Sequence, residues 1–186
     1  LNHLVESGQI PSLPVFVDSP LAIKVTSIYK ASENYFNEKV REEIKGGDDI
    51  FNFPRLKFSM TGQDSIAIRN IPNPKIIIAG SGMSSGGRIT HHEINYLPDP
   101  RSTILLVGYQ SVGTIGRQLQ DGAKKVKING QEVVVKAHIE TILGYSSHKD
   151  SDHLVEFVDS TKETLKKVFV VMGEPKASLF LVQKLR

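Results

Sequence analysis

Four apolar runs of strand length, PVFV at 14–17, LKFSM at 56–60, KIIIA at 75–79 and TILLVGY at 103–109, are each followed by a helix-forming pattern. That alternation confines the chain to an α/β fold, a mainly parallel sheet flanked by helices, because parallel neighbours need a crossover and a helix is the usual one. Asp18 or Ser19 is placed to cap the first crossover helix, with Pro20 suited to its first turn. Gly46 and Gly47 stop the charged segment that follows, and Gly122 is a helix stop after GRQLQD.

The texture changes after residue 124. KVKINGQEVVVKAHIETILGY, 125–145, alternates like strands, and Asn129-Gly130 is a strong hairpin signal. An antiparallel ribbon is expected here, then a strand at 139–144, a helix at 151–159, a strand at 168–172 and a closing helix from Pro175. Two parts follow, 1–124 and 125–186. The opening LNHLVESGQIPSLP has neither an initiator methionine nor a helix start signal, so the chain reads as a piece of a longer one.

In a parallel sheet the loops after the strands' carboxyl ends lie along one edge, where ligands bind. The loops at 18–20, 80–87, 110–116, 145–150 and 172–175 are therefore candidates to line one crevice. AGSGMSSGGRITHHE, 79–93, is the most distinctive of these segments. Its Gly80, Gly82 and Gly86 are spaced GxGxxxG, one residue too long for a dinucleotide fingerprint, and no ribose-binding acid follows on a second strand. A Walker spacing runs from Gly82 to Gly87, but Arg88 and Ile89 replace its lysine and hydroxyl residue, the two groups that do the chemistry.

What remains is an anion-friendly turn. Gly80, Gly82, Gly86 and Gly87 let backbone approach a phosphate, and Ser81, Ser84, Ser85 and Arg88 add donors. A tight strand-to-helix turn without a ligand is the bland alternative. QSVGTIGR, 110–117, supplies a second such turn with Gly113, Thr114 and Arg117, so a ligand with several phosphates, such as a polynucleotide backbone, fits better than a single nucleotide. A mononucleotide-binding α/β domain is the weaker reading.

HKDSDH, 148–153, is one substitution from an HxHxDH metal motif, yet it reads more simply as a loop histidine before a helix whose first turn carries Asp152 and His153. His148 sits behind a strand end and two serines at the crevice edge, a setting for general acid or base work. His91 and His92 are adjacent on a helix, so both cannot face one ligand and packing is the default for at least one. His3 and His138 are assigned to surface or core.

Net charge is +3 and cysteine is absent, which excludes disulfides and thiolate zinc sites. No apolar run reaches a membrane span and no signal peptide is evident, so a soluble, cytoplasmic protein is expected.

PVFVDSPLA, AGSGMSSGGRITHHE, LLVGYQSVGTIGRQLQDGA, KINGQEV, GYSSHKDSDHLVEF and VFVVMGEP, in this order, resemble the β-CASP class of the metallo-β-lactamase superfamily, RNA-processing nucleases related to the cleavage and polyadenylation endonuclease. The resemblance implies that 1–124 is most of a β-CASP domain and that 125–186 is the C-terminal return into a metallo-β-lactamase αββα domain, its RNA-metabolising motif region. Such enzymes hold two zinc ions, mostly on an N-terminal lactamase part that this chain lacks, and hydrolyse RNA with metal-activated hydroxide.

By the same resemblance His148 matches the motif B histidine, a proton donor to the leaving oxygen, and Ser146 and Ser147 match neighbours that contact the RNA backbone. The glycine turns, with Arg88 and Arg117, would clamp that backbone. The family's motif C histidine is replaced by Met172, and a thioether is a poor zinc ligand. The second zinc is thus weakly held, differently ligated or missing, no metal is expected in this chain, and alone it is expected to be inactive. A non-catalytic RNA-binding or scaffolding relative with a degraded metal site is the alternative. The partners implied are RNA, the missing lactamase part and, compatibly, a second copy of the chain; no membrane is implied.

Overall fold

The computed structural model describes residues 1–145 and 148–186. Ser146 and Ser147, expected to contact RNA, lie outside the described residues. The chain divides into two compact units, Leu1–Leu143 and Gly144–Arg186.

The first unit begins with α1 (Asn2–Glu6), and then β1 (Val15–Asp18) enters the fold. Ser19 caps α2 (Pro20–Ala31), its Oγ accepting from the Ala22 N–H at 3.3 Å, with Pro20 in the first turn where its missing N–H costs nothing. A 3-10 turn (Glu33–Tyr35) and α3 (Glu38–Lys45) follow, and Gly46 and Gly47 end the latter as expected. Next come β2 (Leu56–Phe58) and α4 (Gly62–Ile68), the latter entered through a capping box in which Thr61 and Asp64 satisfy each other's backbone N–H groups.

Then β3 (Ile76–Ala79) leads through the glycine loop into α5 (Arg88–Tyr96), and β4 (Thr103–Val107) leads through the second glycine turn into α6 (Ile115–Gln120). The Asn129-Gly130 signal is realised: both residues take positive φ, 50° and 83°, joining β5 (Lys125–Ile128) to β6 (Gln131–Val134) in an antiparallel hairpin. β7 (His138–Ile142) closes the unit.

The parallel strands form two separate sets rather than one sheet. β1 lies between β2 and β3, and β4 pairs with β7, all in parallel register. The main core lies among α5, β4, α6 and the hairpin, where Leu97, Leu106, Leu119, Val126, Ile128 and Val133 are buried together. The hairpin, which the change of texture assigned to the second part of the chain, thus packs into the first unit.

The second unit contains α7 (Ser151–Asp159) and α8 (Pro175–Lys184). Asp150 caps α7 by accepting from the N–H groups of Asp152 and His153 at 3.1 and 3.0 Å. The expected strand at 168–172 is not formed: Val168, Phe169, Val171 and Met172 are exposed, without a ladder partner among the described residues. β-branched composition favours a strand only where a neighbouring strand takes up the backbone N–H and C=O groups.

Candidate functional site

The glycine loop is shaped by contacts that point inward as much as outward. Residue 87 must be glycine, because its φ is 75° and a Cβ there would lie 2.7 Å from the Gly80 carbonyl oxygen. That same carbonyl accepts from the Ile89 N–H at 3.1 Å, closing the loop onto the start of α5. Ser84, at φ 56°, is buried, and its hydroxyl donates to the Glu93 carboxylate one helical turn into α5. Ser81 and Ser85 remain exposed, joined by the Ser85 N–H donating to Ser81 Oγ at 3.1 Å.

The second turn is fastened directly to the first. Gly116 N–H donates to the Met83 carbonyl at 3.1 Å, and the Gln110 side chain, 1% exposed, donates to the Gly82 carbonyl at 2.9 Å. Close packing favours glycine at 116, since a Cβ would meet Gln110 Oε1 at 1.9 Å and the Met83 carbonyl carbon at 3.2 Å and would displace the Gln110 side chain. Thr114 caps α6, accepting from the Arg117 N–H and donating to the Ser111 carbonyl, while Arg117 Nε donates to Asp121 at 2.9 Å. The two glycine turns therefore form one surface, as their common place after β3 and β4 implies.

Beneath that surface lies a polar cluster that sequence reasoning missed. Asp18, at the end of β1, is fully buried. Its Oδ1 accepts from Arg88 Nη1 at 2.6 Å, and its Oδ2 accepts from Ser65 Oγ at 2.6 Å and lies 2.7 Å from His92 Nε2. The Arg88 guanidinium also donates to the Ser59 and Met60 carbonyls at 2.7 and 2.9 Å. It thereby ties the C-terminal ends of β1 and β2 to the first residue of α5. Burial pushes the Asp18 carboxyl up, but hydrogen bonds from Ser65, His92 and Arg88 outweigh it and hold the group below the usual carboxylate range.

Arg88 was expected at a phosphate, and the structure instead commits its side chain to this strut. The signal available in the sequence was the acid ending β1: an Asp closing a buried strand next to a helix cap needs a cation, and Arg88 and His92 are four residues apart, on one helix face.

Glu93 is also fully buried, and burial raises its carboxyl above the usual range against the opposing Ser84 hydrogen bond. Its Oε2 and the Gln110 Oε1 are buried acceptors without a hydrogen-bond partner among the described residues. His91 is exposed while its neighbour His92 is buried, the divergence expected of adjacent helical positions.

His148 and Met172 belong to the second unit. His148 is exposed, two residues before the Asp150 cap; Met172 is fully exposed with a φ of 66°. In the HKDSDH segment His153 Nδ1 lies 2.8 Å from Asp150, and Lys184 pairs with Asp152, so these carboxylates serve a helix start. Zinc needs three or four nitrogen, oxygen or sulfur donors at one point. No group of three or more His, Cys, Asp or Glu residues converges among the described residues. No helix among the described residues is long and apolar enough to cross a membrane.

A double glycine turn after the ends of β3 and β4, one strand from each parallel set, braced by a buried Asp-Arg-His cluster, defines the class of architecture. The Beta-Casp domain family matches residues 1–119, and the Zn-dependent metallo-hydrolase RNA specificity domain matches residues 132–186. The chain belongs to the β-CASP family of the metallo-β-lactamase superfamily. It is 34% identical to Ribonuclease TTHA0252 of Thermus thermophilus over 93% of this chain and 39% of that protein. It is 32% identical to Transcription termination factor FttA of Methanosarcina mazei, over 97% of this chain and 29% of that one. An RNase J-like protein of Methanocaldococcus jannaschii is 28% identical over 96% and 40%, respectively. The chain spans about two fifths or less of the length of these curated relatives.

Proposed function

We propose that this chain is the RNA-gripping part of a β-CASP ribonuclease, in which the joined glycine turns hold the phosphodiester backbone and His148 donates a proton to the leaving oxygen. The observation that carries the reading is the fusion of the two turns through Gln110 and Gly116. It offers the exposed Ser81, Gly82, Ser85 and Gly113, with Arg117, to successive phosphates on one surface. Gly80, Gly86 and Gly87 give that surface its backbone course. Ser84, Thr114 and Arg88 hold its shape, so the phosphate contacts fall to the other groups.

Direct measurement of RNA binding tests this. Residues 1–186 should bind single-stranded RNA without regard to sequence, and Arg117→Ala should weaken every sequence alike, lowering the salt slope by about 0.7. Sequence-selective loss argues against a backbone clamp. Hydrolysis is not assigned to residues 1–186 alone, because in the family they resemble most zinc ligands are carried outside the segments they match; metal-dependent RNA cleavage by this chain would refute that assignment. In the complete protein, His148→Ala should abolish cleavage and leave binding intact.

Met172 at the motif C position favours a second reading, a non-catalytic RNA-binding scaffold. An intact HxHxDH motif and RNA cleavage in the complete protein decide for the enzyme; binding without cleavage decides for the scaffold.

A further inference from the structure

The positive charge of this molecule is concentrated away from the glycine turns. Residues 123–137, the β5–β6 hairpin and its flanks, carry Lys124, Lys125, Lys127 and Lys136 against one acid, Glu132, a net +3. The formal charge of the entire chain is also +3, so all remaining residues sum to zero. All four lysines are exposed. The pleat puts Lys125 and Lys127 on the solvent face of β5, while Val126 and Ile128 anchor the opposite face in the core. Between this face and α6 runs an open groove of about 450 Å³, lined by Gln118, Lys125, Lys127, Gly130 and Glu132.

The groove and the glycine turns share α6 and the hairpin tip. Gln118, which lines the groove, lies on α6, the helix that the second turn starts. At the hairpin tip, Asn129 Nδ2 donates to Thr90 Oγ1 at 3.3 Å, and Thr90 Oγ1 donates to the Gly87 carbonyl at 2.8 Å, a relay into the glycine loop itself. The hairpin backbone is thus held by its core residues and by this tether to the first turn. Only the lysine side chains, not the backbone that carries them, lose freedom on binding.

We infer that the hairpin groove is a second RNA-backbone subsite, continuing the path of the strand past Arg117 so that Lys125 and Lys127 each meet a phosphate. This rests on the clamp reading above. Lys125 is held by Glu132 at 2.7 Å, and both side chains are more than half exposed, so a phosphate displaces a weak surface pair. Glu132 therefore acts as a competing anion that tunes the subsite.

Oligouridylates of about four and about twenty nucleotides, labelled for fluorescence anisotropy, separate the two sites, the short one covering the turns alone. In Lys125→Gln/Lys127→Gln the long oligomer should lose about 1.4 from its salt slope, so that between 50 and 200 mM salt the wild type loses about sevenfold more affinity than the variant, while the short oligomer is unaffected. Glu132→Gln should tighten the long oligomer only. Unchanged slopes in the double variant, with wild-type binding intact, overturn the subsite and leave the clamp standing. Failure of the wild type to bind either oligomer overturns both.

Discussion

Replacing Arg88 with alanine tests whether the guanidinium is a strut or a ligand-binding group. The substitution strands a fully buried carboxylate at Asp18 and removes the donor from the Ser59 and Met60 carbonyls. Breaking a buried ion pair from one side costs about 3–5 kcal/mol. Arg88 is one-fifth exposed, and the other Asp18 oxygen keeps its contacts with Ser65 and His92 at 2.6 and 2.7 Å. Both facts place the loss at the lower end, about 3 kcal/mol, a large share of the roughly 5–15 kcal/mol that holds a domain together.

Urea unfolding followed by far-UV circular dichroism reads this directly. The midpoint should fall by about 1.5–2 M with the slope unchanged. Arg88→Lys should recover only part of it, since an ammonium keeps the charge but cannot span the carboxylate and both carbonyls in their fixed fork. Asp18→Asn/Arg88→Ala should cost less than the sum of its single variants, because the neutral amide leaves no buried charge. An Arg88→Ala chain of wild-type stability whose RNA affinity has dropped uniformly would overturn the strut and return Arg88 to the phosphate.

Three further outcomes follow from the same geometry. The Asp18 carboxyl titrates below its usual value in the folded chain, so its stabilisation is complete above about pH 4 and disappears as pH falls through the folded value; Asp18→Asn should flatten that acid limb in pH-dependent thermal melts. The Glu93 carboxyl titrates above its usual value, so its charge opposes folding at neutral pH and the penalty is relieved as pH falls towards the unfolded value; Glu93→Gln should raise the melting temperature at pH 7, with the gain shrinking on acidification. Gly116→Ala should displace Gln110 and destabilise by about 1–3 kcal/mol, and most of that cost should vanish in a Gln110→Ala background; an equal cost in both backgrounds would sever the proposed link between the turns.

Local signals carried far in this sequence wherever neighbours along the chain set the conformation. The Asn129-Gly130 turn, the Ser19 cap with Pro20 behind it, the Gly122 stop and the span of α7 all depend on a few adjacent residues, and each is found where the sequence puts it. Signals that depend on distant partners were less legible. VFVVM has strand composition but no ladder beside it, and the four parallel runs pair as two sets because composition says nothing about which strand lies next to which. The site divides in the same way. Glycine spacing identified two turns, but the partners that commit Arg88 to Asp18 and Ser84 to Glu93 lie 70 and 9 residues away and are visible only in three dimensions.

That commitment bears on the electrostatics of the proposed RNA clamp as well as on stability. A glycine turn with a free arginine would hold phosphate by charge, whereas here the Arg88 charge is cancelled beneath the surface by a fully buried Asp18. The glycine loop can then offer a phosphate only neutral donors, backbone N–H groups and hydroxyls, which orient a backbone well but contribute little counterion release. Arg117 is itself paired with Asp121, so the turn region as a whole carries little net charge. On the proposed clamp, the +3 of the hairpin would supply the long-range attraction and most of the salt dependence, and the glycine turns would supply register. Loss of hairpin lysines should therefore slow association at low salt, and loss of turn geometry in Gly116→Ala should speed dissociation. Stopped-flow anisotropy separates the two rates, and a hairpin variant altered only in dissociation would show that charge and register are not divided in this way.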